Sequence, residues 1–476
     1  VTTLASNGQG RNNKAGRAPV FRSFSQFVTQ EWRPELKQYP HFDAPISASR
    51  VNSLVRDPDR VGSNAFLPFI TFDKTWQPFR GRVKDGVRPP KPDPKSRAIR
   101  YASHRDSQIF SYYRWLLASR YEKLLFKLGL EGAVLAYRRV ATHSGGGKSN
   151  IHFAKDAFDA ICGYDSCVVV CLDISKFFES LDHQKLRGVW ERLWGSPLTP
   201  DHLAVFDHIT RYADVSRDEA YVRLGFAQRV KKGTGTALKL TMPAKKLPKQ
   251  LATPKDFRLK IAGGDGSKSL IEVNKKGFGV PQGAPLSDLL ANAYLLCFDQ
   301  VLKEYVDKNG GVYFRYSDDI LIIVPNDDGS IAHDIEAFAI SEMAKQGPQL
   351  KIKPSKTAAY RYWRDGDRLR YDHLCGKGKN GLEYLGFRFD GQYARIKDTT
   401  LSRLHRNIVY GARNQAHRHV SRYTGKSLTE LVELFDFASF AKKFGRVPDF
   451  DPASDPKKWT FWTYARRSMN IMGTLG

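Results

Sequence analysis

Three aspartates in this sequence have a spacing that could do chemistry on phosphates. Asp173 ends the apolar run Cys167–Leu172, and Asp318 and Asp319 lie between two short apolar segments. Carboxylate oxygens are the ligands that Mg²⁺ prefers, and two or three suffice on a rigid backbone. Two such ions about 4 Å apart catalyse phosphodiester synthesis by activating the attacking hydroxyl and stabilising the leaving group. An Asp-Asp pair alone is weak support, because turns also favour aspartate.

The elements around these acids must therefore bring them together. Cys167–Leu172 is a continuous, largely β-branched run, which predicts a strand covered on both faces. Val312–Tyr316 and Ile320–Val324 flank a polar Ser-Asp-Asp and predict a β-hairpin. Ser287 is predicted as the N-cap of a following helix. If the strands are neighbours in one sheet, the acids meet although 145 residues (173 to 318) separate them.

The charge balance points to a polyanionic partner. Lys and Arg number 76 against 49 Asp and Glu in 476 residues, for a net charge of +27. Such a surplus repels itself unless a polyanion neutralises it, and nucleic acid is the usual one. A solubilising surface and affinity for an anionic membrane are the alternatives. No apolar run of about 18 residues predicts a membrane span, and Val1–Arg22 has no signal-peptide core, so we expect a cytoplasmic protein that does not bind membranes.

Two other patterns predict no site. Ser144-Gly-Gly-Gly-Lys-Ser149 is similar to a phosphate-binding loop, but Walker A requires a glycine where Thr142 stands. We interpret it as a flexible loop that could touch RNA. A zinc site is conceivable, but the spacings of its candidate ligands match no common pattern. Those candidates are His143, His152, Cys162 and Cys167.

The order of motifs along the chain resembles that of reverse transcriptases. Residues 168–181 (VVVCLDISKFFESL) resemble the first palm motif, 279–287 (GVPQGAPLS) the second, and 316–319 (YSDD) the third. Residues 350–357 (LKIKPSKT) resemble the fourth motif, and 382–387 (LEYLGF) the hairpin that grips the primer. Upstream, Lys95-Ser-Arg-Ala-Ile99, Arg105-Asp106 and Ala136-Tyr-Arg138 resemble finger motifs. The resemblance implies an α+β, right-hand polymerase fold with fingers, a palm with an antiparallel sheet, and a helical thumb.

The resemblance also implies roles for single residues. Asp173 and Asp318 are expected to bind both metal ions, with Asp319 supporting the site. Phe178 is expected to exclude the ribose 2′-hydroxyl, the group that separates RNA from DNA precursors. The alternative is that Phe177 and Phe178 are both core residues.

Further expected contacts are to the nucleotide and to the nucleic acid. Those to the nucleotide are Arg97 and Arg138 clamping the triphosphate, Gln282 and Gly283 against the nucleotide and template base, and Lys356 at the pyrophosphate. For Arg97, Arg138 and Lys356, ordinary surface charge is the alternative. Those to the nucleic acid are Tyr384, Gly386, Arg403, Arg406, Arg413, Arg418 and Arg422.

The same pattern predicts a domain order. The predicted parts are an N-terminal extension (1–60), fingers (61–165), first palm part (166–213), basic insertion (214–276), second palm part with the primer-grip hairpin (277–392), and a helical basic thumb (393–476). Within the insertion, residues 226–276 hold thirteen Lys and Arg against three acids, a net +10. We interpret that stretch as an inserted basic hairpin or flexible arm. A solvated loop without a partner is the alternative.

Within this class, the chain is similar to bacterial stand-alone reverse transcriptases of the unknown-group and abortive-infection type, many of which defend against phage. No RNase H region, maturase extension or HNH motif is apparent. The resemblance implies RNA-directed DNA synthesis with two Mg²⁺ ions, Mn²⁺ being a substitute, from dNTPs on a structured non-coding RNA, with cDNA as product. A retron-like or group II intron-derived enzyme, a template-independent or protein-primed polymerase, and an inactive RNA-binding scaffold are the alternatives. Whether the protein is a homo-oligomer stays open.

Overall fold

The computed structural model describes residues 31–78, 86–90, 92–142, 145–233, 235–376, 378, 380–445 and 460–473. Helices and largely antiparallel sheets, with one parallel strand pair, are interleaved along the chain, which confirms the α+β expectation. The strands are β1 Phe69–Asp73, β2 Ala98–Tyr101, β3 Ser166–Asp173, β4 Ala213–Ser216, β5 Ala227–Lys232, β6 Gly235–Leu240, β7 Glu272–Val273, β8 Val312–Tyr316, β9 Asp319–Pro325, β10 Ala358–Asp365, β11 Arg368–Gly376, β12 Leu382–Tyr384, β13 Phe387–Phe389 and β14 Ala394–Ile396.

The helices account for about half of the remaining described residues. They are α1 Ala48–Val55, α2 Pro58–Gly62, α3 His104–Lys127, α4 Asn150–Cys162, α5 His183–Trp194, α6 Pro200–Thr210, α7 Arg217–Arg223, α8 Pro254–Asp256, α9 Ser287–Tyr294, α10 Leu296–Lys308, α11 Ile331–Ala344, α12 Asp398–Arg422, α13 Leu428–Glu433, α14 Phe437–Phe444 and α15 Phe461–Met472. Ser287 is the first helical residue of α9 and not its N-cap, which is Leu286. The Ser287 hydroxyl instead donates to the Pro281 carbonyl at 2.8 Å, closing the turn before the helix.

The central sheet has five antiparallel strands in the order β11-β10-β3-β9-β8. In β3 the side chains alternate: Val168 and Val170 join one hydrophobic cluster, and Cys167 and Val169 join another on the opposite face. A strand buried on both faces is what an uninterrupted β-branched run predicts. The predicted hairpin is present as β8 and β9, and β9 lies directly beside β3.

The basic stretch 226–276 is built into the fold. Residues 227–240 form the hairpin β5–β6, as predicted. The rest is not a flexible arm, because Leu247, Leu251 and Ile261 are buried in a third hydrophobic cluster. Its charges lie on the surface, with Lys231, Lys239, Lys245 and Lys246 all exposed. The apolar residues of the segment pack into this cluster, and the lysines between them face solvent.

Two smaller sheets complete the strand topology. One has the order β2-β1-β4-β7 and joins the predicted fingers to residues of the predicted insertion. The other, β12-β13-β14, contains the predicted primer-grip hairpin. None of the described helices is both long enough and apolar enough to span a bilayer. The domain boundaries given above stay predictions.

Candidate active site

The three aspartates meet at one end of the central sheet. Asp173 and Asp319 are direct cross-strand partners in the β3–β9 register. Asp318 occupies the turn before β9, and its carbonyl accepts a hydrogen bond from the Ile174 amide at 2.9 Å. Ser317, which precedes it, has a φ of 62°, a left-handed conformation that non-glycine residues rarely adopt. The predicted convergence of acids across 145 residues (173 to 318) is therefore confirmed as backbone geometry.

The carboxylates are crowded and partly removed from water. Partial removal of the Asp319 carboxylate from water is the main cause that raises its pKa to about 7, and repulsion from Asp318 and Asp173 adds to this. Part of the Asp319 side chain still reaches solvent. Burial likewise raises the pKa of Asp318. The Lys356 ammonium lies 2.6 and 2.5 Å from the two carboxylate oxygens of Asp173. Like charges at this density favour a cation among them.

The donor chemistry fits divalent ions. Within the described ranges, no three His, Cys, Asp or Glu side chains already surround a metal-sized position. The aspartates nevertheless present hard oxygen donors on adjacent strands, the kind that Mg²⁺ and Mn²⁺ take. Lys356 places a positive charge against Asp173 in the same space. Asp173, Asp318 and Asp319 are thus the residues that would hold the ions. His143 of the conceivable zinc set lies outside the described residues.

The Gln282–Gly283 turn packs against the strand that follows Arg97. The Gln282 carbonyl accepts from the Arg100 amide at 2.9 Å. Gly283 has a φ of 113°, and a Cβ on it would lie 2.5 Å from the Arg100 carbonyl oxygen. Only glycine fits here without moving the strand. Arg97 itself is exposed, so its guanidinium is available to a ligand.

Phe177 and Phe178 have different environments. Phe177 is 3% exposed and belongs to the hydrophobic core. Phe178 is only partly buried, and its ring lies 6.3 Å from the Tyr137 ring. Its carbonyl accepts from the Val280 amide at 2.8 Å, which ties it to the turn carrying Gln282. Phe178 thus packs at the edge of the core while Phe177 lies inside it, and the role of Phe178 as a gate stays a prediction.

That gate gives a direct test. We expect Phe178→Ala to admit ribonucleotides, because ring volume alone would exclude the 2′-hydroxyl. The ratio of kcat/KM for a dNTP over its rNTP should fall at least tenfold, about 1.4 kcal/mol. Phe178→Tyr, which keeps the ring, is the matched control and should keep the ratio. An unchanged ratio in Phe178→Ala would place the discrimination elsewhere.

Arg138 is not placed as the triphosphate clamp expected of it. Its side chain is 6% exposed and forms a two-point ion pair with Glu122 at 2.9 and 2.7 Å. It also donates to the Glu131 carbonyl at 2.7 Å and to that of Val134. These bonds fasten α3 to the following loop, so Arg138 would have to leave Glu122 to reach a phosphate. A motif gives the residue type at a position, not the partner of its side chain.

Tyr384 likewise lies inside the protein and not on its surface. It is 5% exposed, and its hydroxyl has no hydrogen-bond partner among the described residues. It lines a cavity of about 320 Å³ together with Asp173, Asp319 and Lys356. Gly386, at a φ of 94°, borders the same cavity, and its carbonyl accepts from the Lys397 amide at 2.9 Å. Both residues therefore share a cavity with the acids, and the nucleic-acid contact expected of them stays a prediction.

The thumb arginines are placed for contact with a partner. All five expected residues lie on α12 with exposed side chains: Arg403, Arg406, Arg413, Arg418 and Arg422. Arg406 also donates to the Gln77 carbonyl at 2.6 Å.

One residue beside the site was missed by sequence reasoning. Tyr137 has a φ of 61°, and its hydroxyl lies 3.0 Å from the Ser317 hydroxyl. It belongs to the finger motif Ala136-Tyr-Arg138, in which the sequence pattern assigned a role to Arg138 alone. The Gly-rich loop after it contains Lys148, which pairs with Asp156 at 2.7 Å, while Ser144 lies outside the described residues.

The sequence and the fold were compared with known protein families and solved structures. Residues 247–389 match the reverse transcriptase (RNA-dependent DNA polymerase) family. No curated protein matches the sequence. Similar solved structures include apo telomerase from Candida tropicalis truncated from its C-terminal domain, at 11% identity and a TM-score of 0.35, covering 76% of this chain and 63% of that one. Telomerase from Candida albicans in complex with a TWJ fragment of telomeric RNA has 10% identity and a TM-score of 0.36, covering 74% and 49%.

The chain thus spans less than two thirds of either telomerase, and likenesses at these TM-scores assign no function. The family match includes the hairpin with Asp318 and Asp319 and the segment with Lys356, whereas Asp173 lies upstream of it. The matched segment forms the central sheet together with the strand that carries Asp173. Residues 247–389 therefore match a reverse transcriptase domain, and the α+β fold around them includes the strand that carries Asp173.

Proposed function

We propose that this chain is an RNA-directed DNA polymerase that holds two divalent ions, Mg²⁺ first, with Asp173, Asp318 and Asp319. We further propose that it copies an associated structured non-coding RNA into cDNA in bacterial antiphage defence. The observation that carries the first part is the direct pairing of Asp173 with Asp319 in neighbouring strands, with Asp318 at the adjoining turn. An RNA-binding scaffold without activity has no physical need for three mutually repelling carboxylates at one sheet end.

In this mechanism, each of the chain's own residues has a distinct task. Bound ions supply activation of the primer hydroxyl and stabilisation of the leaving pyrophosphate. Asp173, at the end of β3, and Asp318, in the turn before β9, would hold the ions, and the pairing of Asp173 with Asp319 fixes how these two segments meet. Lys356, now against Asp173, carries a proton that it would give to the pyrophosphate. Gly283 allows the backbone to approach the nucleotide closely, and Phe178 limits the sugar to deoxyribose.

The RNA partner is inferred from where the extra charge lies. A groove of moderate charge is enough to copy an arbitrary template, whereas retention of one RNA between rounds needs contacts on its folded surface. Lys231, Lys239, Lys245 and Lys246 are exposed on a segment that the third cluster holds rigid. Among the described residues, none of these four forms an ion pair, so their charge is available to phosphates. Preplaced cations bind with a smaller ordering cost than a mobile arm.

The retention hypothesis predicts a separation of functions. Replacing Lys231, Lys239, Lys245 and Lys246 with Gln should release the co-purifying RNA while leaving activity on a generic primed template within about twofold. Deleting 226–276 is unsuitable, since it removes buried Leu247, Leu251 and Ile261. The measurement is sequencing of the RNA recovered with each protein, with Lys303→Gln on α10 as a control for loss of a lysine outside the segment. A random RNA population with the wild-type protein would contradict the dedicated template.

The defence role has its own readout. Phage plaque counts should fall in cells carrying the wild type and return to the background in cells carrying Asp318→Ala. Protection that survives loss of Asp318 would favour the scaffold. A cDNA matching no recovered RNA would favour the template-independent polymerase, and a cDNA joined to its own template RNA would favour a retron-like enzyme.

A further inference from the structure

A buried arginine lies behind the catalytic hairpin. Arg315, in β8, and Asp299, in α10, form an ion pair in which both side chains are 0% exposed. The guanidinium has five N–H donors, and five contacts to oxygen are present. These are Nε to Asp299 Oδ1 at 2.6 Å, Nη2 to Asp299 Oδ2 at 2.6 Å and to the Asn292 carbonyl at 3.2 Å, and Nη1 to Asn292 Oδ1 at 3.1 Å and to the Ser317 carbonyl at 3.1 Å.

The stability of the fold alone does not explain why Arg315 and Asp299 are buried as an ion pair. Removing two charges from water is costly, and buried ion pairs can often be replaced by apolar residues without loss of stability. The side chains of the ion pair are nevertheless fully hydrogen-bonded, and Asp299 also accepts from the Tyr313 hydroxyl at 2.7 Å. A fully satisfied buried network holds its members in one geometry. One contact of this network, from Arg315 to Ser317, requires that geometry.

The contact between Arg315 and Ser317 lies next to the acids. Ser317 is 4% exposed, has the left-handed φ of 62°, and immediately precedes Asp318. Its carbonyl is held by Arg315 and its hydroxyl lies 3.0 Å from that of Tyr137. Asn292, held by the same guanidinium, donates to the Ala136 carbonyl at 2.6 Å. One network therefore fixes both the turn and the loop that carries Tyr137.

We propose that Arg315 is a positioning residue for DNA synthesis: it pins the strained Ser317 turn and so sets the direction of the Asp318 carboxylate. This inference rests on the proposed role of Asp318. Lysine cannot substitute, because a single ammonium has three donors and no planar fork to reach Asp299, Asn292 and Ser317 together. Without the hydrogen bond from Arg315 to Ser317, the turn relaxes toward ordinary backbone angles, and Asp318 is displaced from Asp173 on the neighbouring strand.

The test compares variants at a temperature where each is fully folded by circular dichroism. We expect Arg315→Lys to lower kcat at least tenfold, while KM for dNTP and affinity for a primed template stay within twofold. Hydrogen exchange of the peptide covering 312–319 should accelerate, and that of β3 should not. Tyr113→Phe is the control, because it removes another buried hydrogen bond, to Asp201 between α3 and α6, outside this network. It should leave kcat and exchange at the hairpin unchanged.

Arg315→Lys with wild-type kcat per folded molecule and unchanged exchange would overturn the inference. Should that variant not fold, Tyr313→Phe decides, since it deletes one oxygen that supports Asp299. We expect about a threefold fall in kcat with faster exchange at 312–319, and no change in either would overturn the inference. Asp318→Ala is measured in parallel: if it stays active, the proposed function fails, whereas inactivity of Asp318→Ala with normal Arg315→Lys defeats only this inference.

Discussion

We expect Asp318→Ala to incorporate labelled dNTPs at least about 10³-fold more slowly than the wild type, the order of loss that follows removal of a group acting with others. The same substitution should not weaken the fold. Asp318 is partly removed from water beside Asp173 and Asp319, and burial raises its pKa. Removing one of several crowded like charges relieves repulsion, so the melting temperature in the absence of divalent ions should stay the same or rise. Asp173→Ala should behave alike in activity.

The matched control is Asp327→Asn. Asp327 lies exposed just beyond the far end of β9, away from the end that carries Asp319. This variant should keep full activity and an unchanged melting temperature. Wild-type incorporation by Asp318→Ala would remove the acids from the mechanism, whereas a melting temperature many degrees lower would mean that Asp318 serves packing and not metal binding.

The second large effect is on nucleic-acid affinity. If about eight phosphates are contacted by the arginines of α12 and the basic segment, affinity should fall roughly 10³- to 10⁵-fold between 50 and 200 mM salt. The physical cause is release of counterions from the nucleic acid, which added salt opposes. The five arginines of α12 are exposed, as this requires. The measurement is a titration of fluorescent primer–template duplex at several salt concentrations.

Single substitutions make this prediction residue-specific. Arg413→Gln should reduce the magnitude of the slope of log affinity against log salt by about one for each phosphate that the variant no longer binds. Arg187→Gln is the control, because Arg187 is exposed on α5 and already pairs with Glu191. Its slope should equal that of the wild type. Affinity that barely responds to salt would contradict the electrostatic interface.

The local pattern was enough to predict three of the five strands of the central sheet, β3, β8 and β9. The uninterrupted run before Asp173 and the two apolar segments around the Asp-Asp pair each have one strand interpretation. Their adjacency followed from requiring the acids to meet, and the β3–β9 register confirms it. The motif order added the polymerase fold, which neither composition nor periodicity could have supplied.

Tertiary partners were not predictable. Arg138 was expected to be free for phosphate, but it pairs with Glu122, 16 residues earlier on α3. The flexible arm expected as one form of the basic segment is not present beyond the β5–β6 hairpin, because the lysines obscured the spacing of Leu247, Leu251 and Ile261. Arg315 and Asp299 also lie 16 residues apart on different elements. Each of these contacts depends on how elements pack, which a single sequence does not show.

The strand order of the central sheet also has a consequence for biosynthesis. β3 is flanked by β9 and β10, both of which follow it in the chain. β10 ends at residue 365, which is 192 residues (365 − 173) after the end of β3. Until that residue has been made, one edge or both edges of the apolar strand β3 lack a partner. At roughly 5–20 residues per second, translation of that stretch takes about 10–40 s. Over that time the nascent chain exposes an aggregation-prone edge, so we expect the yield of active enzyme to depend on chaperones that bind emerging apolar segments.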